Sequence, residues 1–358
     1  MGEQPPSLET PTLEMIGGWR AVLGALTAGE DLTKAQARAG MAEILEGAAT
    51  PAQIAGFAIA LRMKGETVEE LDGLLDAMLD VAAKVEVAPG VADRLVDVVG
   101  TGGDRSHTIN VSTLSALVVA GAGVPVCKHG NRAASSSCGA ADLLEALGVA
   151  IEIGADAVAR CIAEAGIGFC FAPRFHPALR HAGPARRELA VPTAFNFLGP
   201  LANPARVRRQ LVGVSDPSMA DRMLGVLAAR GSRHVLLVHG HDGLDELTTT
   251  TTSTVHELDA GEVRTWVLDP ADVGLPRAEP EDLRGGDPAT NAAIARAVLA
   301  GASGPPRDVV LLNAGAALVA AGSAAAVEDG IGLAATSIDS GNAAAALDRL
   351  VAVSNAAA

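Results

Sequence analysis

The sequence predicts an α/β fold: a small all-helical domain plus a larger α/β domain whose central, mostly parallel sheet is flanked by helices. Three observations carry this expectation. Residues 13 to about 85 show helical signals throughout and no strand. From Leu95 onward, short apolar strands alternate with glycine-bearing loops and helices, which implies a parallel sheet with loops gathered at its C-terminal edge. The 358 residues are 49% apolar but only 2% aromatic, with no Tyr. The core must therefore be Ala, Leu and Val, which suits helices on a parallel sheet, and the length supports two lobes.

Residues 1–12 read as disordered. Thr50-Pro51-Ala52-Gln53 is a capping box with proline at the first helical position, and Thr67-Val68-Glu69-Glu70 is a second box. Ile54, Phe57, Ala58 and Leu61 recur at helical spacing, as do Leu71, Leu74, Leu75 and Met78. Four short helices are expected there. Residues 94–99 then read as a strand, 111–120 as a helix, 124–127 as a strand, and a helix runs through Leu147. A helix at 155–165 and a strand at 167–171 follow. Residues 173–206, rich in Arg, His and Pro, break the rhythm. They are expected to return to the helical lobe and line the cleft between lobes. Strands at 210–214 and 234–238 enclose a helix at 219–229. Strands at 253–258 and 263–268 precede a mostly helical remainder that includes 291–299, 309–321 and 343–353. The expected domains are 1–92 with a returning segment around 174–206, and 93–173 with 207–358.

A net charge of −15 argues against a nucleic-acid or acidic-membrane binder. The four cysteines show no CxxC pair, which fits reduced, buried thiols in a cytoplasmic protein. The N-terminus lacks a signal-peptide pattern. The most apolar stretch, 111–127, is broken by Ser, Thr, Gly and Pro, so no membrane span is expected.

Four loops carry chemistry. Gly100-Thr-Gly-Gly-Asp-Arg-Ser-His-Thr-Ile-Asn-Val-Ser-Thr113 lies between a strand and a helix N-terminus. Glycines admit close backbone approach, and the free N–H groups and helix dipole favour an anion. The dinucleotide fingerprint fails because Arg105 stands where a third glycine is needed, and the P-loop ending is absent. A tight turn with a helix cap remains the plain alternative. Asp104 tips the balance, being useful beside a phosphate only with a metal or sugar hydroxyl as partner. Lys128 leads a second loop, through Gly139, that offers one point charge and several hydroxyls to a phosphate; the alternative is a solvent-facing Lys and a serine-rich turn. Asp245-Glu246 offers hard oxygen ligands suited to Mg²⁺, or else forms a solvated acidic turn. Arg186-Arg187 could grip a carboxylate, with Arg187 alternatively paired to Glu188. His239, His241 and Asp242 suggest a transition metal, but Gly243 stands where a metal-binding run needs histidine. Together these loops point to a phosphorylated, magnesium-dependent sugar substrate and a second one bearing a carboxylate. No acid/base pair stands out.

With these motifs the sequence resembles the anthranilate phosphoribosyltransferases of tryptophan biosynthesis over nearly its whole length. The resemblance rests on Gly100-Thr-Gly-Gly-Asp104, Asn110-Val-Ser-Thr113, Lys128-His-Gly-Asn-Arg132, Arg186-Arg187-Glu188-Leu189, Asn196 through Pro204 and Asp242-Gly-Leu-Asp-Glu246. It implies that phosphoribosyl pyrophosphate binds Gly100, Gly103, Asp104, Thr108, Asn110, Val111, Ser112, Thr113, Lys128, His129, Gly130, Asn131, Arg132, Ala133, Ala134, Ser135, Ser136 and Ala140. It implies Mg²⁺ at Ser112, Asp245 and Glu246. It implies anthranilate near Gly100, Asn131 and Arg186, with His129 and His176 as neighbours. It also implies a homodimer. Three departures stand out: Arg105 where the family often has glycine, Ala140 for a serine, and Thr251-Thr252 for a frequent Gly-Pro. The Ala140 change is expected to weaken phosphate contacts without abolishing activity. A pyrimidine nucleoside phosphorylase would share the layout but needs no magnesium–pyrophosphate, so the Lys128 and Asp245-Glu246 loops favour the transferase. A non-enzymatic nucleic-acid-binding relative should be basic and should have lost these motifs.

Overall fold

The computed structural model describes residues 11–133 and 136–358. Most of the terminus read as disordered, and Ala134 and Ser135 of the serine loop, lie outside the described residues. The chain divides into two compact units, Met1–Val81 with Ala178–Leu198, and Ala82–Pro177 with Gly199–Ala358.

The first unit holds four consecutive helices, Gly18–Thr27, Lys34–Glu46, Pro51–Lys64 and Val68–Asp80. Thr33, Thr50 and Thr67 each close a capping box, with Gln36, Gln53 and Glu70, so these starts are fixed by side chains that satisfy orphan N–H groups. Met41, Ile44, Phe57, Leu71 and Leu74 form the buried faces. Glu70 is fully buried, accepting from the Leu32 and Thr67 N–H groups and pairing with Lys64 at 2.9 Å. The helix Gly183–Leu189, bearing Arg186, belongs to this unit too.

The second unit is built on seven strands: β1 (Val96–Gly100), β2 (Val126–Gly130), β3 (Ile167–Phe171), β4 (Arg209–Gly213), β5 (His234–Gly240), β6 (Ser253–Asp259) and β7 (Glu262–Leu268). Their order is β3-β2-β1-β4-β5-β6-β7. The first five are parallel, and β6 and β7 run antiparallel. The β6–β7 reversal comes from a two-residue turn at Ala260 and Gly261, both at positive φ, as a tight hairpin matched to strand twist requires. The second strand runs further than its apolar pattern indicates. Lys128, His129 and Gly130 continue β2 rather than opening a loop, because β3 pairs with them through Gly130↔Phe171.

Helices Val111–Gly121, Pro305–Ala320 and Asn342–Ala356 supply much of the core. Every residue from Val309 to Ala320 is buried, and nearly all are Ala, Val, Leu or Gly, the signature of a helix packed on all sides. Among the described residues, no helix is long and apolar enough to cross a membrane.

Candidate active site

The strand order reverses between β1 and β4, and the carboxyl ends of such neighbours form the crevice where open α/β sheets take ligands. Gly100 and Gly213 sit there, paired in register. The Asp245 backbone crosses directly over them: a Cβ on Gly213 would overlap the Asp245 carbonyl, and one on Gly100 would overlap its carboxylate. Asp245 Oδ2 accepts the Gly102 N–H at 2.6 Å, and Glu246 Oε1 accepts the Ser112 N–H at 3.2 Å. Lys128 reaches up from β2 with Nζ 2.6 Å from the Val98 carbonyl and 3.2 Å from Ser112 Oγ. The glycine loop, the lysine and the acidic loop thus meet at one sheet edge.

Charge is crowded there. Burial, and then Glu246 and Asp104, push the Asp245 carboxyl well above its usual range. Burial pushes Glu246 up to about 7 against the opposing pull of Lys128. Burial also lowers the Lys128 ammonium, although Asp97, Glu246 and Asp245 surround it. Two buried carboxylates beside the Ser112 hydroxyl form an oxygen-only donor set whose charge a hard divalent cation would offset. The residues therefore fit Mg²⁺.

The acidic loop is held by residues that spacing alone did not single out. Asn313, fully buried on helix Pro305–Ala320, accepts the Leu247 N–H at 3.0 Å and donates to the Leu247 carbonyl at 2.8 Å. Asp242 accepts from Thr248 Oγ1, Thr250 Oγ1 and the Leu244 N–H. The threonine run is thus an internal brace. His239 Nδ1 donates to the Val214 carbonyl and His241 bonds Thr252 and Thr254 hydroxyls, so this cluster is spent on loop structure. His234, Glu257 and Asp259 approach one another, but Glu257 already holds His234, Arg264 and Trp266 in an ion-pair network.

Gly102 and Gly103 adopt positive φ, and so does Arg105 at 60°. That conformation explains the resemblance's preference for glycine at Arg105. Asp104 accepts from Ser106 Oγ, whose oxygen lies 3.3 Å from Thr108 Oγ1. Asn110 stands at the N-cap position of the helix that carries Val111, Ser112 and Thr113, with no side-chain bond to that helix. The Val111 side chain is core, while Thr113 Oγ1 is buried with no partner.

In the second loop, Arg132 pairs with Asp142 and Glu145 and lies 5.4 Å over the Phe171 ring, so its guanidinium is engaged within the protein. Burial works the other way, but the Ala133 and Gly139 N–H groups and Arg132 hold Asp142 below the usual carboxylate range. Asp142 thereby joins Ala133 to Gly139, just before helix Ala140–Ala146.

His129 and His176 stand 5.2 Å apart, ring to ring. His129 Nδ1 donates to the Gly199 carbonyl (3.1 Å) and His176 Nε2 to the Ala202 carbonyl (2.9 Å). These bonds leave His129 Nε2 and His176 Nδ1 as buried nitrogens with no partner among the described residues. Burial, and then His176, push His129 down to about 3; burial also lowers His176. Beneath them Asp97, fully buried and raised to about 6 by burial, accepts the His129 N–H and the Asn203 amide. The segment 199–203 therefore sets both rings. Because burial disfavours the imidazolium, His129 should stay neutral from about pH 5 to 8. Its ring shifts in NMR should be flat over that range; a midpoint near the free-histidine value would disprove this.

In the first unit, Arg186 is half-buried, its guanidinium 5.5 Å over the Phe195 ring, and burial lowers its pKa. Among the described residues its guanidinium has no hydrogen-bond or ion-pair partner.

The family model described as "Glycosyl transferase family, a/b domain" matches residues 92–344, and "Glycosyl transferase family, helical bundle domain" matches 20–82. An anthranilate phosphoribosyltransferase of Salinispora arenicola is 56% identical over 94% of this chain and 97% of its own. The crystal structure of anthranilate phosphoribosyltransferase from Thermus thermophilus superposes with a TM-score of 0.87 at 42% identity, covering 93% of this chain and 99% of that one. The Saccharomyces cerevisiae enzyme in complex with PRPP and Mg gives 0.86 at 28% identity, covering 94% and 98%.

Proposed function

The chain belongs to the anthranilate phosphoribosyltransferase family, and on that premise we propose how its own residues share the reaction. It transfers the phosphoribosyl group of phosphoribosyl pyrophosphate to the amine of anthranilate, giving N-(5-phosphoribosyl)anthranilate and pyrophosphate in tryptophan biosynthesis. The observation that carries the assignment of residues is the meeting of Gly102, Ser112, Lys128, Asp245 and Glu246 at the strand-order reversal.

Phosphoribosyl pyrophosphate is bound by the glycine loop and by the loop after Lys128. Backbone N–H groups around Gly100, Gly103 and Asp104, with Thr108, Ser112 and Ser136, receive phosphate oxygens at a helix N-terminus. Asn131 and Ala133 add contacts from the second loop. Arg132 acts through the loop it braces, because Asp142 and Glu145 occupy its guanidinium. Mg²⁺ is held by Asp245, Glu246 and Ser112, and when bound it neutralises charge on the leaving pyrophosphate.

Arg186 takes the anthranilate carboxylate. A half-buried guanidinium with no anionic partner is a cation short of an anion, and its planar fork matches a carboxylate. Within the second unit, His129 Nε2 and His176 Nδ1 are two buried acceptors open to a substrate N–H or O–H. The amine nitrogen then attacks the anomeric carbon as the bond to pyrophosphate breaks, and the extra proton left on the nitrogen passes to the departing pyrophosphate or to water. An aniline-type amine carries no extra proton at neutral pH, so positioning supplies most of the catalysis. We also propose a homodimer, on the family resemblance, and a cytoplasmic setting, supported by four buried free thiols.

The test mixes the protein with anthranilate, phosphoribosyl pyrophosphate and Mg²⁺ and follows loss of anthranilate fluorescence. Loss that requires both substrates and stops in EDTA supports the reading; loss that persists in EDTA refutes the metal assignment. Arg186→Ala should raise the anthranilate KM by about tenfold to a hundredfold, the worth of a charged hydrogen-bonded pair. The KM for phosphoribosyl pyrophosphate should hold within about threefold. An unchanged anthranilate KM would remove Arg186 from that role.

A further inference from the structure

The far limb of the glycine loop is held by a segment well downstream in the sequence. Residues 283–286 run alongside 107–109: Ile109 N–H donates to the Leu283 carbonyl (3.0 Å), Gly285 N–H to the His107 carbonyl (2.8 Å), and Thr108 bridges Arg284. A Cβ on Gly285 would stand 2.8 Å from both the Thr108 carbonyl and Asn291 Oδ1, so this approach needs glycine. Asn291, buried on helix Pro288–Leu299, knots the arrangement. Its Oδ1 accepts the Gly286 N–H at 2.7 Å, and its Nδ2 donates to Asn110 Oδ1 at 2.9 Å. Asn110 Nδ2 in turn donates to the Cys138 carbonyl at 2.9 Å, in the serine loop.

The Asn110 amide is thus occupied on both sides, and its orientation is dictated by Asn291. From this geometry we propose that Asn291 is a positioning residue for phosphoribosyl pyrophosphate. Its amide ties the strap 283–286 to Asn110 at the start of helix Val111–Gly121, and through Asn110 to the Cys138 carbonyl, so that these three points are held in register. Asn291 touches no substrate. It acts as an outer layer does at other preorganised sites, by fixing groups that would otherwise choose among orientations. The inference rests on the reading of 100–113 as the phosphoribosyl pyrophosphate loop.

The experiment compares Asn291→Leu and Asn291→Asp with the unaltered enzyme. Asn291→Asp keeps an acceptor for the Gly286 N–H but cannot donate to Asn110, which isolates the link to the substrate loops. Both variants should raise the KM and the calorimetric Kd for phosphoribosyl pyrophosphate about tenfold or more, as losses of such supporting partners do. The anthranilate KM should stay within about threefold. If Asn291→Leu does not fold, Asn291→Asp decides. Wild-type affinity for phosphoribosyl pyrophosphate in the folded variants, whatever their thermal midpoints, overturns the proposal. Gly103→Val serves as comparator, because it strains the loop directly at a positive φ. If it weakens phosphoribosyl pyrophosphate binding while the Asn291 variants do not, only this inference fails; if it too is silent, the loop reading fails with it.

Discussion

Replacing Asp245 by Asn and Glu246 by Gln together should cut turnover by at least about a thousandfold, the scale set by losing the charge that stabilises a leaving group. The amides keep an acceptor for the Gly102 and Ser112 N–H groups, so the loop need not move. Stability should change little. Both carboxyls have folded-state pKa values raised by burial, so their charged forms oppose folding at neutral pH and that cost fades as pH drops. Uncharged amides remove the cost. The same change takes two carboxylates away from the buried Lys128 ammonium, which offsets the gain, so the pair should unfold within about a few degrees of the parent while being nearly inactive, and calorimetric titration should show lost Mg²⁺-dependent binding of phosphoribosyl pyrophosphate. Retained turnover, or lost turnover explained by a collapsed thermal midpoint, would take the metal role away from these residues.

This contrast shows what a sequence discloses about such a site. Gly100, Lys128 and Glu246 are far apart in sequence, yet each lies at or just beyond the carboxyl end of a parallel strand, and a parallel sheet brings such ends to one edge. Their meeting was readable for that reason. The supports were not. Asp97 reads as an interruption in an apolar strand, and only the fold brings Asn203 to it. Asn313 and Asn291 are single amides in Ala-rich helices, each bonded to a loop distant in the sequence. Arg132 has the opposite history. Its place in the Lys128-His-Gly-Asn-Arg run suggested a phosphate ligand, but Asp142 and Glu145, on the following helix, claim it. Local composition marks which loops carry charge; pairing over long separations decides which charges stay available.

Gly213 supplies the sharpest case, because nothing in its sequence surroundings marks it as part of the site. It ends β4 opposite Gly100, and the Asp245 peptide lies against it so closely that a methyl group has no room. The obstructing atoms are the backbone carbonyl oxygen, carbon and Cα of Asp245, so no side-chain rotation can relieve the overlap. Gly213→Ala must lift the loop, carrying Asp245 and Glu246 away from Gly102 and Ser112 and straining the Leu247–Asn313 pair. A displacement of that order should lower kcat/KM for phosphoribosyl pyrophosphate by about a hundredfold and raise the Mg²⁺ concentration for half-activity. The sheet ladder uses backbone groups that alanine retains, so the fold should survive. Gly100→Ala should be milder, because its Cβ meets the Asp245 carboxylate, a side-chain end that can turn aside. The ranking is the test: a Gly213→Ala enzyme with an unchanged Mg²⁺ requirement, or one less impaired than Gly100→Ala, would show that the acidic loop does not need this seat.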